Sequence, residues 1–150
     1  MNLRIYEMEH SPFCIPITRA LEALGQDVER IPVSNWDRRP VIELTGGRYY
    51  QVPVLVHGDD VIAESSPSSQ DIARYVDTNF GGGRLFPESN AGLQEIVIEH
   101  IENDIEDRTF KLVDPLYLKS IEDAGARMMV IRHKERKFGA GCVDAWGRDR

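Results

Sequence analysis

Apolar and polar positions change period along this 150-residue chain, and the changes mark its elements. Leu3 and Ile5 alternate with polar neighbours up to Met8, which predicts a first strand over 3–8. From Phe13 the period lengthens: Phe13, Ile17, Ala20, Leu21 and Leu24 recur at helical spacing and define one face of a helix. His10-Ser11-Pro12 supplies its start, with Ser11 suited to the N-cap and Pro12 to the first helical position, and Gly25 supplies its stop. Val28 to Val33, interrupted by Pro32, reads as a second strand. Strand, helix and strand at this spacing make a βαβ unit with parallel strands. The stretch 34–50 is punctuated by Asn35, Pro40, Gly46 and Gly47, with room for a short helix over 40–44.

Val52 to Val56 is then apolar throughout except for Pro53, the mark of a strand buried on both faces. Gly58-Asp59-Asp60 is turn chemistry, and Val61-Ile62-Ala63 is a second apolar run, so the two make a hairpin at the centre of a covered sheet. Pro53 cannot donate a ladder hydrogen bond and must stand at a strand start or an edge. Ser65-Ser66-Pro67 repeats the helix-start signal; Ile72, Tyr75 and Val76 give the helix its face, and Gly81-Gly82-Gly83 ends it. After Arg84-Leu85-Phe86-Pro87 the strand signals vanish. Leu93, Val97, Ile101 and Ile105 fall four apart on an amphipathic helix. A further helix is predicted from about Leu116 to Phe138 with Ile121, Ala124, Met128 and Ile131 inward, stopped by Gly139-Ala140-Gly141 and followed by a short tail with a polar tip.

Composition narrows the function classes. Hydrophobic residues make up 41% and charged residues 29%, a soluble globular balance. The net charge of −7 argues against nucleic acid or an anionic membrane surface as the main partner. No apolar run approaches the roughly 20 residues of a membrane span, and the first residues lack a secretory signal. Two cysteines, Cys14 and Cys142, make no disulfide framework, so a reducing cytoplasm is the expected compartment. His10, His57, His100 and His133 have no ligand spacing, and no metal site is expected.

Several of these residues occur together in a family pattern. Ser11-Pro12-Phe13-Cys14, Ala20-Leu21, Gly25, Gln51-Val52-Pro53-Val54-Leu55, Glu64-Ser65, Ile72 and Tyr75 resemble the thioredoxin-like half of glutathione S-transferases. Arg84 to Pro87 resembles that family's linker, and the helices beyond it resemble the start of its all-α domain. The resemblance implies an α/β fold: a thioredoxin-like βαβ-ββα domain over 1–80 with a four-stranded mixed sheet, a linker over 81–87, and a truncated all-α domain over 88–150. Two departures stand out. Ser66-Pro67-Ser68-Ser69 adds four residues between Ser65 and Gln70, about one helical turn. Either the helix starts a turn earlier or the anion site beside it is reshaped. The family's helical domain also continues beyond the helices predicted here, so the chain is either shortened or a fragment.

Taken alone, Ser11 and Ser65 read as helix caps and Glu64 as a strand-end charge. The resemblance gives them a ligand, glutathione, as co-substrate. It implies that the peptide bond before Pro53 is cis and that Val52 exchanges backbone hydrogen bonds with the cysteinyl unit, like an added strand. It further implies that Glu64 pairs with the ligand's ammonium and that Ser65 binds its α-carboxylate at the start of the next helix. Gln51 and Arg48 are lesser candidates for the glycyl end. Ser11, at the first position of the family's active-site motif, would donate a hydrogen bond to the glutathione sulfur. Lowering a thiol pKa by roughly two units takes about 2.7 kcal/mol, within reach of one charge-assisted hydrogen bond of about 1.5–3 kcal/mol aided by the helix N-terminus. With Ser11 at that position a dithiol cycle within the motif is excluded, and Cys14 reads as a small buried hydrophobe. Two functions follow: a cytoplasmic transferase conjugating glutathione to a small electrophile, or a non-catalytic glutathione-binding or interaction module with the same fold. The family pairs as dimers, and an incomplete helical domain would add an apolar face for a homodimer.

Overall fold

The computed structural model describes residues 2–66 and 69–148. It divides into two compact units, one up to Ile96 and one from Val97 onward. The first holds strands β1 (Leu3–Glu7), β2 (Glu29–Pro32), β3 (Val54–His57) and β4 (Asp60–Ile62), and helices α1 (Cys14–Ala23), α2 (Arg39–Leu44) and α3 (Asp71–Val76). The sheet runs β2-β1-β3-β4, with β1 parallel to β2 and antiparallel to β3, and β3 antiparallel to β4. This is the mixed four-stranded sheet of the expected thioredoxin-like fold. The hairpin is not wholly central: β3 lies inside the sheet, but β4 is its edge, only three residues long and no more than half-buried.

The unbroken apolar run of β3 is explained by its two neighbours. Leu55 packs with Leu3, Ile5, Ile17, Leu21, Ile72 and Val76 in one cluster, while Val54 packs with Cys14, Val33, Val41 and Val52 in another. Alternate residues thus face two separate cores, and neither face has a place for a polar side chain. Ile5, Leu21, Leu55 and Ile72 are fully buried, each contributing about 1.5–3 kcal/mol of transfer free energy. Glu7 ends β1 buried; its carboxylate accepts the Thr18 hydroxyl at 2.8 Å and pairs with the Arg30 guanidinium, which ties β1 to α1 and β2. Helix α1 starts at Cys14 rather than at Pro12. Ser11 closes a preceding turn, its carbonyl accepting the N–H groups of Cys14 and Ile15 and its Oγ accepting that of Phe13 at 3.3 Å. Phe13 is consequently exposed, not part of the buried face, which comprises Cys14, Ile17, Thr18 and Leu21.

After α3 a π-helical turn, Asp77–Gly81, brings a buried carboxylate under the following segment. Asp77 accepts the N–H groups of Leu85 (3.1 Å) and Phe86 (2.9 Å). Although burial alone would push its carboxyl up, these backbone donors hold it below the usual range. A Cβ at Gly81 would meet Asp77 Oδ1, so a larger residue there would displace that carboxylate from its backbone donors.

Helix α4 (Ala91–His100) runs without a break into a π-helical segment, Ile101–Glu106, and then into α5 (Asp107–Ser120). Helices α6 (Ala124–Phe138) and α7 (Cys142–Arg148) follow. The single helix expected from Leu116 to Phe138 is in fact two. Ile121 adopts an extended conformation, and Asp123 caps α6 by accepting the Ala126 N–H at 2.6 Å. The inward side chains of α6 are Ala126 and Val130, whereas Ala124 and Met128 are exposed. The expected tail is helical: Cys142, Val143 and Trp146 of α7 pack with Leu118, Ile121 and Phe138, and the Trp146 and Phe138 rings meet edge to face at 5.2 Å. A buried pair, Lys134 Nζ to Asp114 Oδ2 at 2.8 Å, joins α6 to α5, with the ammonium 3.6 Å from the centre of the Phe110 ring. Among the described residues no helix is long and apolar enough to cross a membrane.

Candidate functional site

The strand directions gather the candidate residues. The C-terminal ends of β1, β2 and β4 and the start of β3 share one edge of the sheet. Ser11 follows β1, Val52 and Pro53 precede β3, and Glu64 follows β4, so all four stand on that edge.

The pairing register of β1 and β3 ends at Tyr6 opposite Val54, which leaves Val52 and Pro53 beyond the ladder. Both are buried, and the bond between them is cis. Ser11 is also buried, and its hydroxyl stands against the Cys14 thiol. Burial pushes that thiol above its ordinary value, and the Ser11 hydroxyl opposes the shift. Cys14 is fully buried in the cluster that contains Val52, consistent with a packing role. Tyr49 leans on the same cluster; burial, with the charges of Glu64 and Cys14, raises its phenol well above the usual value. Cys14 and Glu64 are thereby both within electrostatic range of one ring.

Beyond β4 the geometry differs from the simplest expectation. Ser65 does not open the next helix. It is exposed, and α3 begins six residues later at Asp71, with Gln70 before it in the left-handed region (φ 55°). The chain therefore spends its four additional residues on a loop rather than on an earlier turn of helix; Pro67 and Ser68 lie outside the described residues. Glu64 reaches across the loop to the helix. Its carboxylate accepts the N–H of Asp71 at 2.6 Å, the N–H of Ile72 at 3.2 Å and the Ser69 hydroxyl at 2.6 Å. Ser65 turns to Asp71, whose Oδ2 accepts its N–H at 2.7 Å. The Ser65 hydroxyl and N–H, with the Ser69 hydroxyl, hold the Asp71 carboxyl below the carboxylate range.

Arg48 and Gln51 lie in the segment before β3, both exposed; the Arg48 Nε donates to the Thr45 carbonyl at 3.1 Å and the Gln51 amide to the Tyr50 hydroxyl at 3.4 Å. Three residues not singled out from the sequence belong to this edge. Ser69 and Asp71 complete the Glu64–Ser65 network. Ser69 carried a readable signal, since it stands three residues before Ile72, where Ser65 would stand without the extra four. Arg38 is the third: its Nε and Nη2 donate to Asn35 at 3.3 and 3.0 Å, and its charge favours the ionised forms of Cys14 and Tyr49, though burial outweighs it on both. Among the described residues, no group of three or more His, Cys, Asp or Glu side chains could hold a metal ion.

A mixed β2-β1-β3-β4 sheet with a cis proline just before its inner antiparallel strand, and with Ser11 and Glu64 at the same end, defines a thioredoxin-like protein. Residues 5–84 match the sequence pattern of the glutathione S-transferase N-terminal domain, and the chain belongs to that family. It is 27% identical to glutathione S-transferase L1 of Arabidopsis thaliana over 120 residues, 79% of this chain and 45% of that protein. It is 36% identical to glutathione S-transferase 4 of Zea mays over 87 residues, 55% of this chain and 39% of that protein. The chain thus spans less than half the length of these two curated relatives. Among solved structures, glutaredoxin 2 of Salmonella typhimurium in complex with glutathione superimposes with a TM-score of 0.67 at 25% identity, over 97% of this chain and 64% of that one.

Proposed function

We propose that this chain binds glutathione along the edge formed by Val52, Pro53 and Glu64, and transfers its thiol to a small electrophile with Ser11 as the sulfur's hydrogen-bond donor. The observation that carries the reading is Glu64, which follows β4 at the end of the sheet where Val52 and Pro53 precede β3. A carboxylate offers about four acceptor sites, and among the described residues Glu64 accepts three donors, from Asp71, Ile72 and Ser69. The fourth suits the ligand's ammonium. Val52, past the end of the ladder, is available to pair with the peptide backbone of the ligand. The ligand's α-carboxylate takes the Ser65 N–H and hydroxyl that Asp71 holds in the free protein. Asp71 is thus a competitor built into the chain. Gln51 and Arg48 serve the glycyl end. In this reading, residues 1–80 form the glutathione-binding domain, 81–87 the linker and 88–150 the helical domain of a cytoplasmic homodimer.

Melting shifts with glutathione test the binding. Saturation at ~100 times the dissociation constant should add roughly 2.7 kcal/mol, Glu64→Ala should abolish the shift, and Asp71→Asn should tighten binding several-fold. No shift at millimolar glutathione overturns the reading. A chloronitrobenzene substrate tests transfer: Ser11→Ala should lower the rate about 10–100-fold, the worth of a charge-assisted hydrogen bond. The second reading, a non-catalytic module, is favoured by the burial of Ser11 against Cys14. A folded protein that binds glutathione and turns over nothing would establish it.

A further inference from the structure

Asp71 opens α3 with its carboxylate turned back to Ser65, whose N–H it accepts at 2.7 Å. In the proposed binding a ligand carboxylate takes that N–H. A tethered negative charge is then left beside the charge that displaced it, and like charges repel. The Glu64 carboxylate, which accepts the Asp71 N–H at 2.6 Å, is close by as well. Where the Asp71 side chain goes next therefore sets how costly the displacement is.

A cation lies within its reach. Arg74 is three residues along α3, a spacing that makes side chains neighbours on a helix. The helix is regular here, with the Arg74 N–H bonded to the Gln70 carbonyl at 2.9 Å. Ser65 does most to hold the Asp71 carboxyl low, and the Arg74 charge adds to it, so the two side chains already attract each other. In the free protein the guanidinium is engaged on its other side. Its Nη2 donates to Glu95 Oε1 of α4 at 2.5 Å, and its Cζ lies 4.7 Å from the centre of the Phe86 ring. The Arg74 and Glu95 side chains are 43% and 60% exposed, and an ion pair so open to water is weak. Asp71 and Glu95 are alternative partners of one guanidinium. We infer that Arg74 is a positioning residue for the ligand: it trades Glu95 for Asp71 when a ligand carboxylate takes the Ser65 N–H. Each carboxylate of the site then has a donor, and Glu95 returns to water.

Because the trade presupposes the glutathione reading above, it is tested by calorimetric titration of the intact chain with glutathione, with circular dichroism confirming that each variant is folded. Arg74→Gln should weaken binding roughly two- to five-fold, the worth of one exposed ion pair. Glu95→Gln should do the opposite and tighten it about two-fold, because Arg74 then draws Asp71 away before the ligand arrives. In an Asp71→Asn background there is no charge to receive, and both effects should vanish. If Arg74 only braced the segment around Phe86, the two substitutions would act in the same direction and equally in either background. That result overturns the trade and leaves glutathione binding standing. A wild type that binds no glutathione overturns both.

Discussion

The two units bury their apolar residues in different ways. In the first, Ile5, Leu21, Leu55, Ile72, Val41, Val54 and Val76 are fully enclosed, because a sheet with helices on its faces presents two surfaces to be covered. In the second, the buried residues Leu118, Ile121, Ala126, Val130, Cys142 and Val143 retain 3% to 9% exposure, while Val97, Ile101, Leu112 and Leu116 stand in water. Three helical segments around one small cluster cannot enclose side chains that point the other way. The difference teaches where cohesion lies: the first unit closes on itself, and the second leaves an apolar face exposed.

The sharpest way to break that comparison is a matched pair of truncations. Leu55→Ala should cost about 3–4 kcal/mol, near the upper part of the range for an enclosed leucine, and Leu118→Ala about 2 kcal/mol, since its surroundings are open enough to collapse. Urea unfolding followed by circular dichroism measures both. Equal losses would remove the distinction. Asp77→Asn sharpens it within the first unit and should cost about 2 kcal/mol at neutral pH by weakening buried backbone bonds. Because the folded-state pKa of Asp77 is depressed, its contribution is present above about pH 4 and is lost as the pH falls through the folded value. The wild type should therefore converge on the variant in acid.

The smallest effect belongs to Glu106 in the second unit. Burial pushes its carboxyl up to about 7; Glu102 and Asp107 add to the shift, and Lys137 and Lys134 oppose it. A raised carboxyl binds its proton more tightly when folded, so stability is lost as the pH rises from about 4 to about 7. Glu106→Gln should remove that loss. Discounted for the group's partial exposure, the gain at pH 8 is about 1 kcal/mol, or roughly 2–4 °C in Tm, with none expected near pH 4. A thermal melt at the two pH values decides it.

The first unit was more legible in the sequence than the second, for reasons visible in particular residues. The apolar run of β3 admits one interpretation because polar alternation is absent from it. The parallel pairing of β1 with β2 and the β3–β4 hairpin followed from the connection lengths. The Ser65-Ser66-Pro67 signal misplaced the start of α3, because the helix is capped by Glu64 from across the loop, and a reach of seven residues leaves no local pattern. The division at Ile121 was hidden by an apolar period that continues across it, although Asp123 offered a cap. The period-four series from Leu93 reads as a helix, and its apolar face stands exposed. Periodicity tells which side of a helix is apolar, not whether anything lies against it.

The loop between Glu64 and Asp71 has one more consequence. Glu64, Ser65, Ser69 and Asp71 bond to one another in the free protein, so the freedom of these four residues is surrendered when the chain folds. In the proposed binding, a ligand carboxylate would have to displace Asp71 from the Ser65 N–H, a contest between two carboxylates, one tethered and one free.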